Sequence, residues 1–261
     1  MPMFSVVIPF YNAKSTLAAA IASLQAQTFQ DWEALFINDG STDGSADVVL
    51  RAAEFDTRIY LIGYGIIGPA RGVAATRNIG IAAARGRFIA FLDSDDLWLP
   101  EKLDQQMKAF ERGADIVFTA YRRIDYLGRN LGTVYAKTNV NWADSLGGNP
   151  IGCSTGAYRL ARFPTMRMRE GLMHEDYAFW LDLLRDGAIA QGLPNILAEY
   201  RVSAGSVSAN KLRSAAKVWH ILGLQGISLP QRVRGFIIYI LMSLWRRQRF
   251  YDWLYRDKRN E

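Results

Sequence analysis

Short, unbroken apolar runs recur along the first 120 residues, and a stretch with helical spacing follows each. Phe4 to Ile8 is the first run, closed by Pro9. Residues 14–27 then place Leu17, Ile21 and Leu24 on one stripe, the spacing of a helix with one buried face. A second run, Glu33 to Ile37, ends in the polar turn cluster Asn38-Asp39-Gly40-Ser41-Thr42-Asp43-Gly44. The alternation continues with a helix near 45–55, a strand near 58–62, a helix over 71–84 and a strand over 87–92. Strands that are apolar at every position are buried on both faces, and alternation with helices makes the sheet parallel and covered on both sides. The pattern predicts an α/β fold with a mostly parallel, Rossmann-like central sheet flanked by helices. Ligands of such sheets bind beyond the carboxyl ends of the strands. Two of those ends are acidic here, at Asp39 and at Asp93-Ser94-Asp95-Asp96.

Beyond Pro100 a helix runs to about residue 112, and a strand covers 115–119. Residues 121–150, rich in Gly, Asn, Tyr and Arg, break the alternation and read as hairpins and loops that shape the site of a second substrate. Residues 176–186 form a helix closed by Gly187, Ile196 to Arg201 a last short strand, and a basic helical extension starts near Lys211. The expected division is a domain over 1–210, with halves at about 1–98 and 99–210, and an aromatic-rich extension over 211–261.

Charge changes the picture at the C-terminus. The chain of 261 residues carries a net +6, but residues 201–261 hold 12 Lys/Arg against 3 Asp/Glu, while residues 1–200 hold 19 against 22. A basic tail on a slightly acidic body points to an anionic partner, either a nucleic acid or a membrane surface. Gly235 to Trp245 is apolar for 11 residues, well below the roughly 20 needed to span a bilayer. It is flanked by Arg232 and Arg234, and by Arg246, Arg247 and Arg249, with Tyr239, Trp245, Tyr251, Trp253 and Tyr255 alongside. A helix lying on an anionic membrane surface through residues 232–256 is one reading; a helix packed on the body or on a second subunit is the other. The apolar centre lacks the basic and aromatic face expected for nucleic acid, so no nucleic-acid partner is expected. The single cysteine, Cys153, excludes an internal disulfide and suits a reducing compartment. It reads as a core or pocket-lining thiol. The N-terminus, MPMFSVVIPFYNA, reads as a first strand and not as a signal peptide.

Four clusters offer chemistry. Three carboxylates within Asp93 to Asp96, at the mouth of a buried strand, repel one another. A divalent cation shared with substrate phosphates relieves that repulsion; a solvated loop with Asp95 or Asp96 capping the next helix is the alternative. In His174-Glu175-Asp176 the acids complement a helix dipole, or one of them is a general base. Arg77 is a surface helix former, or its guanidinium faces the carboxylates or a phosphate. Pro9-Phe10-Tyr11-Asn12 is an ordinary turn, or Tyr11 offers an aromatic surface to a base. Gly63 to Gly68 spells GxGxxG, but it follows the third strand and precedes Pro69, so it reads as a flexible loop.

Taken in order, SVVIPFYNA (5–13), ALFINDGSTDGS (34–45), ATRNIGIAAARGRFIAFLDSDDLW (75–98) and HEDYAFWLDLLRDG (174–187) closely resemble the bacterial family 2 glycosyltransferases, whose domain is the GT-A fold. YRVSAGSVSANKLRSAAKVW (200–219) is similar to a recurrent ending of that family, so the likeness covers roughly residues 4–220. The resemblance implies inverting transfer of one sugar from a nucleotide-sugar donor, UDP-linked in the favoured reading, to a glycan or lipid-linked saccharide in cell-envelope or exopolysaccharide synthesis. It implies that Pro9, Tyr11, Asn12 and Asp39 hold the base and ribose, and that Arg77 lies near the donor. Asp93-Ser94-Asp95 matches the DXD motif, with Asp95 as ligand to Mn²⁺ or Mg²⁺ and Asp93 touching ribose, metal or sugar; Asp96 then caps the next helix. Asp176 matches the catalytic base, with Glu175 as its neighbour. The expected location is cytoplasmic, peripheral on the inner face of the membrane. Two departures stand out. Ala70 replaces a frequent Asn, and Gln231-Arg232-Val233-Arg234-Gly235 lacks the Trp of the processive QxxRW motif, which favours a non-processive enzyme. The rival readings are a sugar nucleotidyltransferase, whose Gly- and Lys-containing loop is missing after the first strand, and a basic nucleic-acid-binding protein.

Overall fold

The apolar runs form the expected strands. In the computed structural model, which describes residues 1–63, 65, 70–202 and 211–257 (backbone course alone for 211–213 and 245–257), β1 (Phe4–Phe10), β2 (Trp32–Asn38), β3 (Ile59–Ile62) and β4 (Phe88–Phe91) pair in parallel, in the order β3-β2-β1-β4. α1 (Lys14–Gln25), α2 (Ser45–Phe55) and α3 (Val73–Ala83) connect them. Every residue of β1, β2 and β4 is buried, because successive side chains enter cores on opposite faces. Phe4, Val6 and Ile8 join Leu17, Ile21 and Phe36 on one face; Val7 joins Leu35, Ile81 and Phe91 on the other. α3 lies so close to the sheet that a Cβ on Gly80 would fall 2.5 Å from Val7 Cγ1.

Pro9 does not close β1, as its sequence position suggests. The strand continues to Phe10 beside β2, while its ladder to β4 stops at Val7. The missing N–H of proline therefore falls where β1 has lost one neighbour.

The second half is less regular. β5 (Leu97–Trp98), α4 (Lys102–Glu111), β6 (Ile116–Ile124), β7 (Asn130–Val134), β8 (Asn139–Val140), α5 (Trp142–Ser145), β9 (Ala157–Arg159), α6 (Glu175–Arg185) and β10 (Ala190–Arg201) follow in chain order. β9 runs antiparallel between β4 and β6, β6 pairs in parallel with β10, and β7 folds back on β6 as a hairpin. Among the described residues this makes one ten-stranded sheet. β10 starts at Ala190, well before the expected Ile196; its register shifts between Leu193 and Ile196, around Pro194, and the interruption hides its first half in the sequence.

α7 (Lys211–Gly223) and α8 (Leu229–Asp257) complete the described chain. Val218, Ile221 and Leu222 of α7 join Leu146, Tyr177 and Leu181 in a third core, against which Phe236 and Tyr239 of α8 pack. Arg232, a basic flank in the sequence, is turned inward: its Nε and one terminal nitrogen donate to Trp219 O at 3.0 and 2.8 Å, and it stacks 4.1 Å over that indole. The extension therefore packs on the body through its first half. Among the described residues no helix is long and apolar enough to cross a membrane.

Candidate active site

The carboxyl ends of β1 and β4 and the head of α6 border a cleft of about 1560 Å³, where Pro9, Arg77, Asp93, Asp95, Glu175 and Asp176 meet. β4 delivers the acidic loop, and two residues far away in the chain fix its shape. Ser154 Oγ accepts the Asp93 N–H at 3.0 Å and donates to Asp96 Oδ2 at 2.5 Å. The Arg201 N–H donates to Asp96 Oδ1 at 2.9 Å, and Arg201 Nε donates to the Asp95 carbonyl at 2.9 Å. Trp98 Nε1 secures Ser154 from behind, donating to its carbonyl at 2.7 Å.

Asp96 is consequently no helix cap. It is fully buried, α4 begins at Lys102, and the position before it, Glu101, makes no side-chain cap. Burial first, and then the charges of Asp93 and Asp95, push its carboxyl well above the usual range. Asp96 ties the acidic loop to the end of β10 and to Ser154.

Asp95 is the carboxylate left over. No other residue is bonded to its side chain among the hydrogen bonds and ion pairs described, and burial together with the Asp93 charge raises its pKa against the pull of its own N–H and of Arg201. Such a group gains most from a cation. Among the described residues no three acidic, His or Cys side chains form a ready metal cage. One or two carboxylates completed by substrate phosphates is the usual arrangement for Mg²⁺, and Asp95 with Asp93 fits that donor set.

Arg77 is only 3% exposed, which rules out the surface reading. One terminal nitrogen donates to Asp93 at 2.5 Å and the other to Glu175 Oε1 at 2.6 Å. Burial works against its charge, but the neighbouring carboxylates outweigh that and hold it ionised. One guanidinium thus joins the donor-side loop to the head of α6.

His174, just before α6, adopts φ 63°, a left-handed turn uncommon for a non-glycine residue. Glu175 then faces Arg77, and Asp176 faces Asn149, whose Nδ2 donates to Asp176 Oδ2 at 2.9 Å. The amide cannot be turned over without loss, because Asn149 Oδ1 accepts the Ile151 N–H at 3.1 Å. Burial first, and then the charge of Glu175, raise Asp176 to a pKa of about 7.

Tyr11, Asn12 and Asp39 lie beyond the first two strands. Tyr11 is half exposed. Asn12 sits at φ 48°, its Oδ1 accepting the Thr42 N–H at 2.9 Å and its own N–H donating to Ser41 Oγ at 3.0 Å. Asp39 accepts the backbone N–H groups of Arg71 and Gly72 at 2.8 and 3.1 Å, at the start of α3. These contacts knit together the turns after β1 and β2 and the approach to α3, whereas Pro9 alone of the set lines the cleft. Most of the GxGxxG stretch, residues 64 and 66–68, lies outside the described residues. Cys153 lines the cleft with a thiol that burial pushes well up, which suits a lining group and not a nucleophile.

Sequence reasoning did not find Asn149, Ser154 or Arg201. Each acts through a partner at least 27 positions away, and none lies in a motif that carries chemistry by itself.

The mostly parallel sheet carries an acidic loop beyond β4 that faces a second acidic pair at the head of α6, and its fold is of the GT-A type. Solved structures agree on the fold. Residues 1–349 of TarS from S. aureus, in complex with UDP-GlcNAc, align with a TM-score of 0.69 over 92% of this chain and 72% of that one, at 19% identity. The mannosyltransferase PcManGT from Pyrobaculum calidifontis, in complex with GDP-Man and Mn²⁺, also aligns at 0.69, over 91% and 68%, at 17% identity. The chain belongs to glycosyl transferase family 2, whose family model matches residues 5–166. It is 32% identical, over the full length of both chains, to the UDP-Glc:alpha-D-GlcNAc-diphosphoundecaprenol beta-1,3-glucosyltransferase WfaP of Escherichia coli. The chain is therefore an enzyme that transfers a glycosyl group.

Proposed function

We propose that this enzyme transfers one sugar, with inversion at the anomeric carbon, from a UDP-sugar to a hydroxyl of a lipid-linked saccharide in envelope polysaccharide synthesis. The observation that carries the reading is the placement of Asp176, a raised and anchored carboxylate, in the same cleft as the Asp93–Asp95 loop. The donor bound by TarS and the acceptor named for the Escherichia coli relative support the two substrate classes.

Asp176 Oδ2 is held by Asn149, so the other oxygen is the one that receives the acceptor's proton as the new bond forms. A pKa near the operating pH suits that role. Arg77 pairs with both Asp93 and Glu175 and offsets one of their two negative charges, which lessens the repulsion felt at the base and at the departing diphosphate. Asp95 and Asp93 would hold Mn²⁺ or Mg²⁺, which would supply positive charge against the departing diphosphate. Pro9, Tyr11, Asn12 and Asp39 are assigned to the base and ribose. A single displacement by the acceptor hydroxyl leaves no sugar on the enzyme and inverts the anomeric centre.

Asp176→Asn is expected to abolish transfer with the fold intact, and chelation to abolish it reversibly, with Mn²⁺ restoring it. Near-normal turnover by a folded Asp176→Asn enzyme would remove Asp176 as base; activity surviving exhaustive chelation would remove the metal assignment.

The proposed location is the inner face of the cytoplasmic membrane, with the exposed stripe Val233, Ile237, Leu241 and Leu244 of the expected 232–256 contact against anionic lipid, since Arg232 packs on Trp219 instead. Flotation with acidic vesicles, weakened by salt, is the expected outcome; equal recovery with neutral vesicles contradicts it.

A further inference from the structure

One wall of the cleft takes no part in the proposed chemistry. Gln231, Arg234, Ile238 and Met242 of α8 all line it. Their three- and four-residue spacing puts them on one helix face, and at about 1.5 Å per residue the row is roughly 16 Å long. The row is graded: polar at Gln231, cationic at Arg234, then aliphatic at Ile238 and Met242, which remain 39% and 45% exposed. Arg234 has neither a carboxylate nor a hydrogen-bond acceptor among the described residues.

α8 is set firmly in place. A Cβ on Gly235 would lie 2.9 Å from the Leu146 carbonyl oxygen, and one on Gly147 would lie 2.5 Å from Ile238 Cγ2. The row is thus pressed against the segment that leads into Asn149, the residue holding Asp176. On the side turned from the cleft the apolar surface continues through Val233, Ile237, Leu241 and Leu244, all exposed.

We infer that the cleft-facing row of α8 is the subsite for the aglycone of a phosphate-linked glycolipid acceptor, an inference that rests on the reaction proposed above. Arg234 binds the phosphate that joins saccharide to lipid, for which a guanidinium supplies two-point recognition. Ile238 and Met242 receive the first part of the hydrocarbon chain. The order of groups in such an acceptor, sugar then phosphate then lipid, repeats the polar, cationic and aliphatic order of the row. The neighbouring apolar stripe, about 100° round the helix, lies outside the cleft and continues the path of the chain outward.

The test is direct binding to the full chain of a saccharide diphosphate bearing an alkyl chain, compared with the uncharged alkyl glycoside of the same sugar. Arg234→Gln is expected to weaken binding of the diphosphate about tenfold, about 1.4 kcal/mol, and to leave the glycoside within about twofold. Met242→Gln is expected to remove the gain in affinity that a longer alkyl chain brings. Equal weakening of both ligands by Arg234→Gln, or no weakening of either, overturns the inference. So does an equal loss of Arg234→Gln binding to acidic phospholipid vesicles without glycolipid, which assigns the arginine to the bilayer. Donor cleavage by the wild-type chain, followed as UDP release, tests the reaction separately from this binding measurement.

Discussion

A carboxylate serves as a base near neutral pH only if its surroundings resist its charge without abolishing it. At Asp176 burial and Glu175 raise the pKa to about 7 against the opposing pull of the Arg77 charge and the Tyr177 N–H, and Asn149 donates to Oδ2, a bond that favours the ionised form. The sign follows directly. Asp176 must be deprotonated to act, so kcat/KM falls as pH drops through about 7. Removing the Asn149 donor removes a stabiliser of the charged form, so Asn149→Ala is expected to move the acidic limb to higher pH by roughly one unit, the 1.4 kcal/mol scale of a hydrogen bond to charge. A pH–rate profile checks it; a lower kcat with an unmoved limb would make Asn149 merely structural. The position of Asp176 at a helix start was legible from its neighbours in sequence. Its pairing with Asn149, 27 positions upstream, was not, because an Asn before Pro150 reads as any turn.

At the scale of elements, the acidic loop after β4 owes its shape to a latch and the cleft's far wall to a docked helix. The latch is Ser154, Asp96 and Arg201, drawn from three separate segments. Ser154→Ala leaves the buried Asp96 carboxylate and the Asp93 N–H each short of a partner, a loss of about 1–3 kcal/mol. Because the same bonds aim Asp93 and Asp95, a parallel weakening of Mn²⁺ activation is expected; denaturant midpoints and metal titrations read the two effects separately. The helix is α8. Gly235→Val would drive a branched side chain into the Leu146 backbone, and overpacking of that kind costs about 1–3 kcal/mol, more than the few tenths that leaving glycine returns in helix propensity. The expected outcome is a lowered unfolding midpoint with acceptor KM raised and donor affinity kept.

At the scale of the whole molecule, the sheet gathers the donor-side and acceptor-side groups into one cleft, and a ligand bound there links both halves. A donor nucleotide at about 100 times its Kd stabilises the folded chain by about 2.7 kcal/mol, which for a protein of this size is roughly 5–10 °C in Tm. UDP with Mn²⁺ is expected to give that shift, and Asp95→Asn to remove the part that depends on metal. A thermal shift assay with and without chelator measures both. The uneven charge also belongs to this scale: the positive excess lies in the extension, whose first half is packed on the body and whose aliphatic stripe is open.

Hydrophobic periodicity alone determined the first four strands and their helices, because burial on both faces of a parallel sheet leaves a pattern that any window of the chain displays. The acidic strand end and the Glu175–Asp176 pair were equally visible, since several charges next to an apolar run are a local signal. What only the tertiary structure decided are relations between distant residues. Asp96 looked like a cap because capping is local, yet its partners are Ser154 and Arg201, 58 and 105 positions away. Arg77 read equally as a surface helix former or as a partner of the carboxylates, and only the two carboxylates that close on it from other elements chose between them. Three-residue β9 was too short to show a period, and its antiparallel place was set by β4 and β6 on either side. α8 carried the same apolar letters whether it met protein or lipid; packing assigned one face to the body, one to the cleft and one to the outside.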